Sequence, residues 1–355
     1  MKKIVAYIVE DEDCPQFRYR VKNVQEALGA SEKWEIRYYL KSKIDDLDLK
    51  NVSLIVVERQ TDKDGRLLGT VKKAQGLGVK VLMDLDDLVF DYRDLKLVAE
   101  TVSEKNILYW AGYFWGIRRI AKRVDGFICT NDFLARKLKR SFDKPVKVIR
   151  NSLNREQIEI SEKYIKKKKV REIGEKKFAI GYFSGSPTHT KDFGLVEEEL
   201  MRFLNEHEDA VLRVVGEMEF SHEMKRWIER GRVEVSSKVD YLRLQGLLAR
   251  VDVNIAPLLI NDFTNCKSEL KFFEAGAVET TTIASPTYTF KRAITDGENG
   301  FLARPGEWYD KLEYLYKNPK QNREVALEAK KYATEHYIGA EFLKEVEEVY
   351  DYFAR

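Results

Sequence analysis

The chain is short of the residues that would tie it to several common chemistries. It has three cysteines, Cys14, Cys129 and Cys266, an odd number with no metal-ligand spacing. That excludes a disulfide framework and a zinc finger and fits a reducing compartment. No apolar run approaches the roughly 20 residues that a bilayer span needs. Met1 to Val9 read as a first β-strand that turns acidic at Glu10, not as a secretory leader. An excess of one charge is missing too: 62 Lys and Arg face 59 Asp and Glu, and a net +3 is too small to imply nucleic acid. The expected location is the cytoplasm, with peripheral attachment to the inner face of the cell membrane as a candidate.

What is present is an ordinary soluble composition, 44% hydrophobic and 34% charged. Its 355 residues exceed what one core usually supports, so two domains of roughly 150 residues each are expected. Strand patterns at Ile4 to Val9, Glu35 to Tyr39, Leu54 to Val57, Val79 to Leu82, Gly126 to Cys129 and Val146 to Ile149 alternate with helical ones at Val21 to Leu28 and Leu67 to Leu77. Such alternation predicts a parallel sheet covered by helices, a Rossmann-like α/β domain. After the lysine run Lys166 to Lys169 the pattern restarts at Phe178 to Phe183, with further strands at Val211 to Val215, Val233 to Val235 and Val253 to Ala256. A second doubly wound domain follows from this.

Two basic clusters stand out. Residues 164–171, around Lys166 to Lys169, read as a solvated linker. Tyr109 to Arg123 is helical in pattern and dense in aromatics followed by cations. It suits a core helix with a basic end, or a surface that lies against anionic lipid.

The densest signal is Lys267-Ser268-Glu269-Leu270-Lys271-Phe272-Phe273-Glu274-Ala275-Gly276, then Thr282 to Ser285, then the turn Asp296-Gly297-Glu298-Asn299-Gly300-Phe301-Leu302. It reads as a helix start bearing lysines and a glutamate, a short buried strand and a glycine turn. Unpaired helix amides and lysines attract phosphate, and a carboxylate accepts hydrogen bonds from ribose hydroxyls.

This segment resembles the donor site of family-4 glycosyltransferases of the bacterial surface polysaccharide type, with Glu274 opening the Ala/Gly-rich helix. Where that family commonly carries a further glutamate for the donor sugar, this chain has Cys266, and Glu269 is the candidate substitute. The resemblance implies a GT-B fold: an acceptor domain over 1–155, a basic linker over 156–176, a donor domain over 177–338, and a terminal helix over 339–355 crossing back to the first domain. It also implies transfer, with retention, of a sugar from a nucleotide diphosphate donor to a hydroxyl of a glycan or lipid-linked acceptor.

Site residues follow on that reading. The loop after the first strand of the donor domain offers Gly185 and Ser186 for the diphosphate, with His189 for phosphate or sugar contact and Lys191 for charge. Lys267, Ser268, Leu270, Lys271 and Glu274 complete the donor site. In the first domain Arg18, Arg20, Arg59 and Asp87 are candidate acceptor contacts, and Asp86 a candidate catalytic carboxylate. Lysines and helix amides would carry the charge of the leaving group. No metal is assigned, and no cofactor beyond a co-substrate based on UDP or dTDP. Two other readings remain open: a phosphohydrolase using Asp84 as nucleophile and Asp86 as acid, and a non-catalytic partner protein of the same fold.

Overall fold

The structure is a computed structural model that describes residues 2–102, 106–171, 177–184 and 190–355. It contains two six-stranded sheets. The first comprises β1 (Lys3–Val9), β2 (Trp34–Leu40), β3 (Leu54–Glu58), β4 (Lys80–Leu85), β5 (Gly126–Cys129) and β6 (Val146–Val148), ordered β2-β1-β3-β4-β5-β6. The second comprises β7 (Phe178–Phe183), β8 (Ala210–Val215), β9 (Val233–Ser236), β10 (Val253–Ala256), β11 (Thr281–Ala284) and β12 (Phe301–Leu302), ordered β12-β11-β10-β7-β8-β9. Every pairing between these strands is parallel. Inner strands such as Leu54–Glu58 and Val253–Ala256 are buried along their whole length, because helices cover both faces.

The two faces of the first sheet have separate cores. One gathers Ile55, Val57, Met83 and Phe127 against Phe114, Ile117 and Ile120 of the helix Ile107–Ala121. The other gathers Val5, Tyr7, Val56 and Leu82 with Phe342, Val346, Val349 and Phe353. Those last four lie on the final helix, Ala340–Phe353, so the end of the chain does return to the first sheet. Tyr350 and Tyr7 hydroxyls meet at 2.9 Å, and Trp34 Nε1 donates to Asp351 at 3.0 Å.

The lysine-rich stretch is more than a solvated connector. Arg155–Arg171 is one helix, with Ile165 buried, and Ser161 Oγ donates to Gln245 at 3.1 Å on the helix Tyr241–Leu248. The aromatic helix Ile107–Ala121 divides its residues between both expectations, since Ile107, Leu108, Tyr109 and Trp115 are exposed.

Two glycines permit close approaches near the second sheet's working edge. A Cβ on Gly276 would sit 2.8 Å from the Ala329 carbonyl oxygen of the helix Pro319–His336. Gly216, after β8, has φ +111° and passes so close to Ser184 that a Cβ would lie 2.1 Å from its carbonyl oxygen. Gly276 therefore has a packing role against the helix behind it, and Ala275 packs with Ala179, Val211 and Leu248.

Candidate active site

In open parallel sheets the loops beyond the carboxyl ends of the strands build the site. Here those loops from the two sheets meet. The first sheet supplies Glu58 and Arg59 after β3, Asp84 to Asp87 at the end of β4, and the turn carrying Arg18, Tyr19 and Arg20 after β1. The second supplies Lys191, the helix Leu270–Gly276 and the residues leading into it.

Arg18 to Lys22 form a π-helical turn, a geometry often found at working sites. It sends neighbouring residues in different directions. Tyr19 donates its hydroxyl to Glu274 Oε1, and Arg18 reaches the same oxygen at 3.5 Å while its guanidinium lies 4.1 and 4.3 Å from the rings of Tyr19 and Tyr241. Gln157 Nε2 adds a third contact at 3.4 Å. Glu274 is thus gathered by first-domain and connecting-helix residues, 5% exposed. Burial first, then the neighbouring Glu274 charge, raise the Tyr19 hydroxyl well above its ordinary pKa, which keeps it a donor.

Arg20 turns the other way. Its Nε sits 3.1 and 3.2 Å from the two oxygens of Asp84, and its Nη1 donates to the Ile149 carbonyl at 2.7 Å and to Asn151 at 3.1 Å. It is 1% exposed. The expectation that Arg20 contacts an acceptor is therefore corrected: it is a buried strut. Asp84 is equally enclosed, so it does not present the open nucleophile that a phosphohydrolase needs. Burial raises the Asp84 carboxyl to about 6, with Arg20 pulling against that rise.

Arg59 joins Asp86 at 3.0 Å and Asp87 at 2.7 Å, and Asp87 also receives Lys267 from the second domain. Burial opposes the Asp87 charge, but Lys267 and Arg59 together hold its carboxyl below the ordinary value. Beside them Glu58, 4% exposed, makes no hydrogen bond or ion pair among the described residues. Burial, then repulsion from Asp86 and Asp84, push it up to about 8, so it is neutral at pH 7.

The lysines of the second domain differ from one another. Lys191 donates to the Glu100 carbonyl oxygen of the first domain, and Lys267 is held by Asp87. Lys271 Nζ is buried with no hydrogen-bond partner among the described residues, 5.0 Å from the Tyr182 ring. Burial lowers it to about 8, while Asp192 and Glu274 oppose the shift. Ser268 and Leu270 are half-buried at the helix entrance. Gly185, Ser186 and His189 lie outside the described residues.

Two further positions are structural. Cys266 is fully buried in the first-domain core, and its carbonyl accepts from Asn131 Nδ2 at 2.8 Å. Glu269 accepts from the Tyr337 hydroxyl at 2.6 Å and is likewise buried. The Asp296 turn is closed by Leu302 N and Lys311 on the Asp296 carboxylate at 2.8 and 2.9 Å.

The whole architecture has counterparts among solved structures. The chain superposes on the Anabaena protein HepE in complex with UDP-glucose with a TM-score of 0.65 at 13% identity, over 98% of this chain and 99% of that one. With a glycosyltransferase from Rickettsia africae ESF-5 the TM-score is 0.66 at 13% identity, over 100% and 99% of the two chains. With sucrose-phosphate synthase from Thermosynechococcus elongatus it is 0.66 at 15%, over 99% of each. The fold is therefore GT-B, two Rossmann-like domains with facing strand ends. Within it, residues 178–318 match the family model described as glycosyl transferases group 1. No curated protein matches the chain.

Proposed function

We propose that the chain moves a hexosyl group from a nucleotide diphosphate sugar to a hydroxyl of a glycan or lipid-linked saccharide, with retention at the transferred carbon. The observation that carries this reading is Lys271, a buried ammonium without a hydrogen-bond partner among the described residues, set beside Glu274 at the working edge of the second sheet. A buried cation is stabilised by an arriving anion, and a diphosphate supplies one.

In this scheme Lys271 neutralises the charge that develops on the diphosphate as the bond to the sugar carbon breaks. Lys267 exchanges Asp87 for a phosphate oxygen, and Glu274 accepts from ribose hydroxyls once Tyr19 and Arg18 yield. Asp86, with Arg59, holds the acceptor hydroxyl. These protein cations support a reaction that needs no metal ion. The resemblance to family-4 enzymes supports retention, and the UDP-glucose carried by the HepE structure makes UDP the first base to try, with dTDP second.

The test is thermal shift with UDP, dTDP, GDP and their sugar conjugates, without metal, on the native chain and on Lys271→Met. A ligand that binds only the folded state raises the midpoint. The expected result is a base-selective shift that Lys271→Met loses. A shift of equal size in the variant, or none with any nucleotide, would sink the reading. Nucleotide binding without turnover of any sugar conjugate would favour the non-catalytic partner.

A further inference from the structure

The helix Ile107–Ala121 has an inner face in the first-domain core and an outer face that carries large exposed apolar residues. Leu108 is 79% exposed and Trp115 57%, with Ile107 and Tyr109 beside them. One turn on, Arg119 stacks over Trp115 at 4.7 Å, and the exposed Lys122 and Arg123 follow. Positions 108, 115, 119 and 122 recur at helical spacing, so they form one stripe, apolar at one end and cationic at the other.

The charge is uncompensated. Residues 106–124 contain no acidic side chain. Arg118 and Arg119 donate to the backbone carbonyls of Phe90 and Asp62. Neither they nor Lys122 and Arg123 has a carboxylate partner among the described residues. Lys33, Arg37 and Arg66 elsewhere on this domain are ion-paired, while Lys50 and Lys72 have no carboxylate partner among the described residues; what sets this patch apart is the exposed aromatic and aliphatic side chains beside its cations. Exposed Trp, Tyr and Leu beside unpaired cations match the interfacial zone of an anionic bilayer, where aromatic rings sit among headgroups and each cation is attracted to anionic lipid.

We propose that this face is a docking surface for anionic lipid bilayer. Its place on the molecule gives it a purpose. Tyr113, on the same helix, is close enough to Arg59, Asp86 and Asp87 for their charges to act on its hydroxyl. The helix that carries the stripe therefore also borders the acceptor wall with another of its faces. The inference rests on the transferase reading only in that it names where the acceptor resides, held in the membrane by a lipid. Binding to the bilayer itself is independent of transfer.

The experiment is sedimentation of the full chain with vesicles of phosphatidylcholine alone, and of phosphatidylcholine and phosphatidylglycerol two to one. Binding to the mixed vesicles is expected to exceed that to the neutral ones by about tenfold, and to weaken in half-molar salt. Leu108→Glu with Trp115→Glu, and separately Lys122→Glu with Arg123→Glu, should each lower it about tenfold. All four residues are exposed, so melting temperatures should be unmoved. Absence of binding to either vesicle, or binding unchanged in both double variants, would overturn the proposal. So would a lipid-free dimer that Leu108→Glu with Trp115→Glu converts to monomer, since a second copy would then cover the face. Vesicle binding without any nucleotide shift retires the transferase reading alone; the reverse result retires this surface alone.

Discussion

The two walls of the site handle charge in opposite ways. On the first-domain wall, Asp84, Asp86 and Asp87 are met by Arg20, Arg59 and the incoming Lys267. Glu58 is the carboxyl left over, and it holds its proton instead. On the second wall, Lys271 is buried with no bonded counter-ion among the described residues. The buried Arg20–Asp84 pair forms without a ligand, although Arg20 Nη2 has no hydrogen-bond partner among the described residues, so breaking it damages the fold. An unmatched cation is a cost in the empty protein, so removing it damages binding. The comparison separates the Arg20–Asp84 pair, which holds the site, from Lys271, which waits for a substrate.

The sharpest way to break it is Asp84→Ala. Removing one partner of a buried pair leaves Arg20 uncompensated, with an expected loss of about 3–5 kcal/mol of stability. Denaturant unfolding measures it directly. A loss below about 1 kcal/mol would mean that Arg20 finds other partners and the wall is not a balanced network.

Glu58→Gln tests the leftover carboxyl through pH. The folded value is raised to about 8 from the ordinary 4.5, so the native state holds the extra proton between those values. Stability from this group is full below about pH 4.5 and falls as pH rises through about 8. The variant, which cannot ionise, should therefore gain on the native chain across that window, on the order of 5 kcal/mol by pH 9. Parallel melting curves from pH 5 to 9 would contradict it.

Lys271→Met sharpens the other side. UDP affinity should fall at least tenfold, about 1.4 kcal/mol, while the empty protein is no less stable. Lys271 is lowered from 10.5 to about 8, so its charge is present below that value. UDP binding to the native chain should weaken as pH rises through about 8, and the variant should lack that dependence. The sign for the empty protein is opposite: its stability relative to the variant should rise between about pH 8 and 10.5.

Legibility in the sequence followed the same division. Strands such as Leu54–Glu58 and Val253–Ala256 carry their burial in local pattern, and the Lys267 to Glu274 segment carries its chemistry in a short run of residue types. Arg20 was opaque because its partner, Asp84, is 64 residues away, and a cation in a turn reads as surface. Cys266 and Glu269 were opaque because their roles come from Asn131 and Tyr337 on distant elements. The helix Arg155–Arg171 was nearer to hand: Ile158 and Ile165 stand seven apart just before the lysine run, an apolar stripe that the charge run obscures.

The smallest expected effect bears on where the walls touch. Tyr19 donates to the oxygen of Glu274 that the proposed ribose would need. If the walls compete with substrate, Tyr19→Phe frees Glu274 without disturbing the ring, and UDP should bind about threefold tighter, a gain of about 0.6 kcal/mol. The hydroxyl lost is buried against a carboxylate, so the empty protein should be slightly less stable, by about 1 kcal/mol. Tighter binding with lower stability is the signature of a contact that closes the empty site. Weaker UDP binding in titration calorimetry would instead make Tyr19 part of the nucleotide site, with the first domain contributing to donor recognition through the same π-helical turn that buries Arg20.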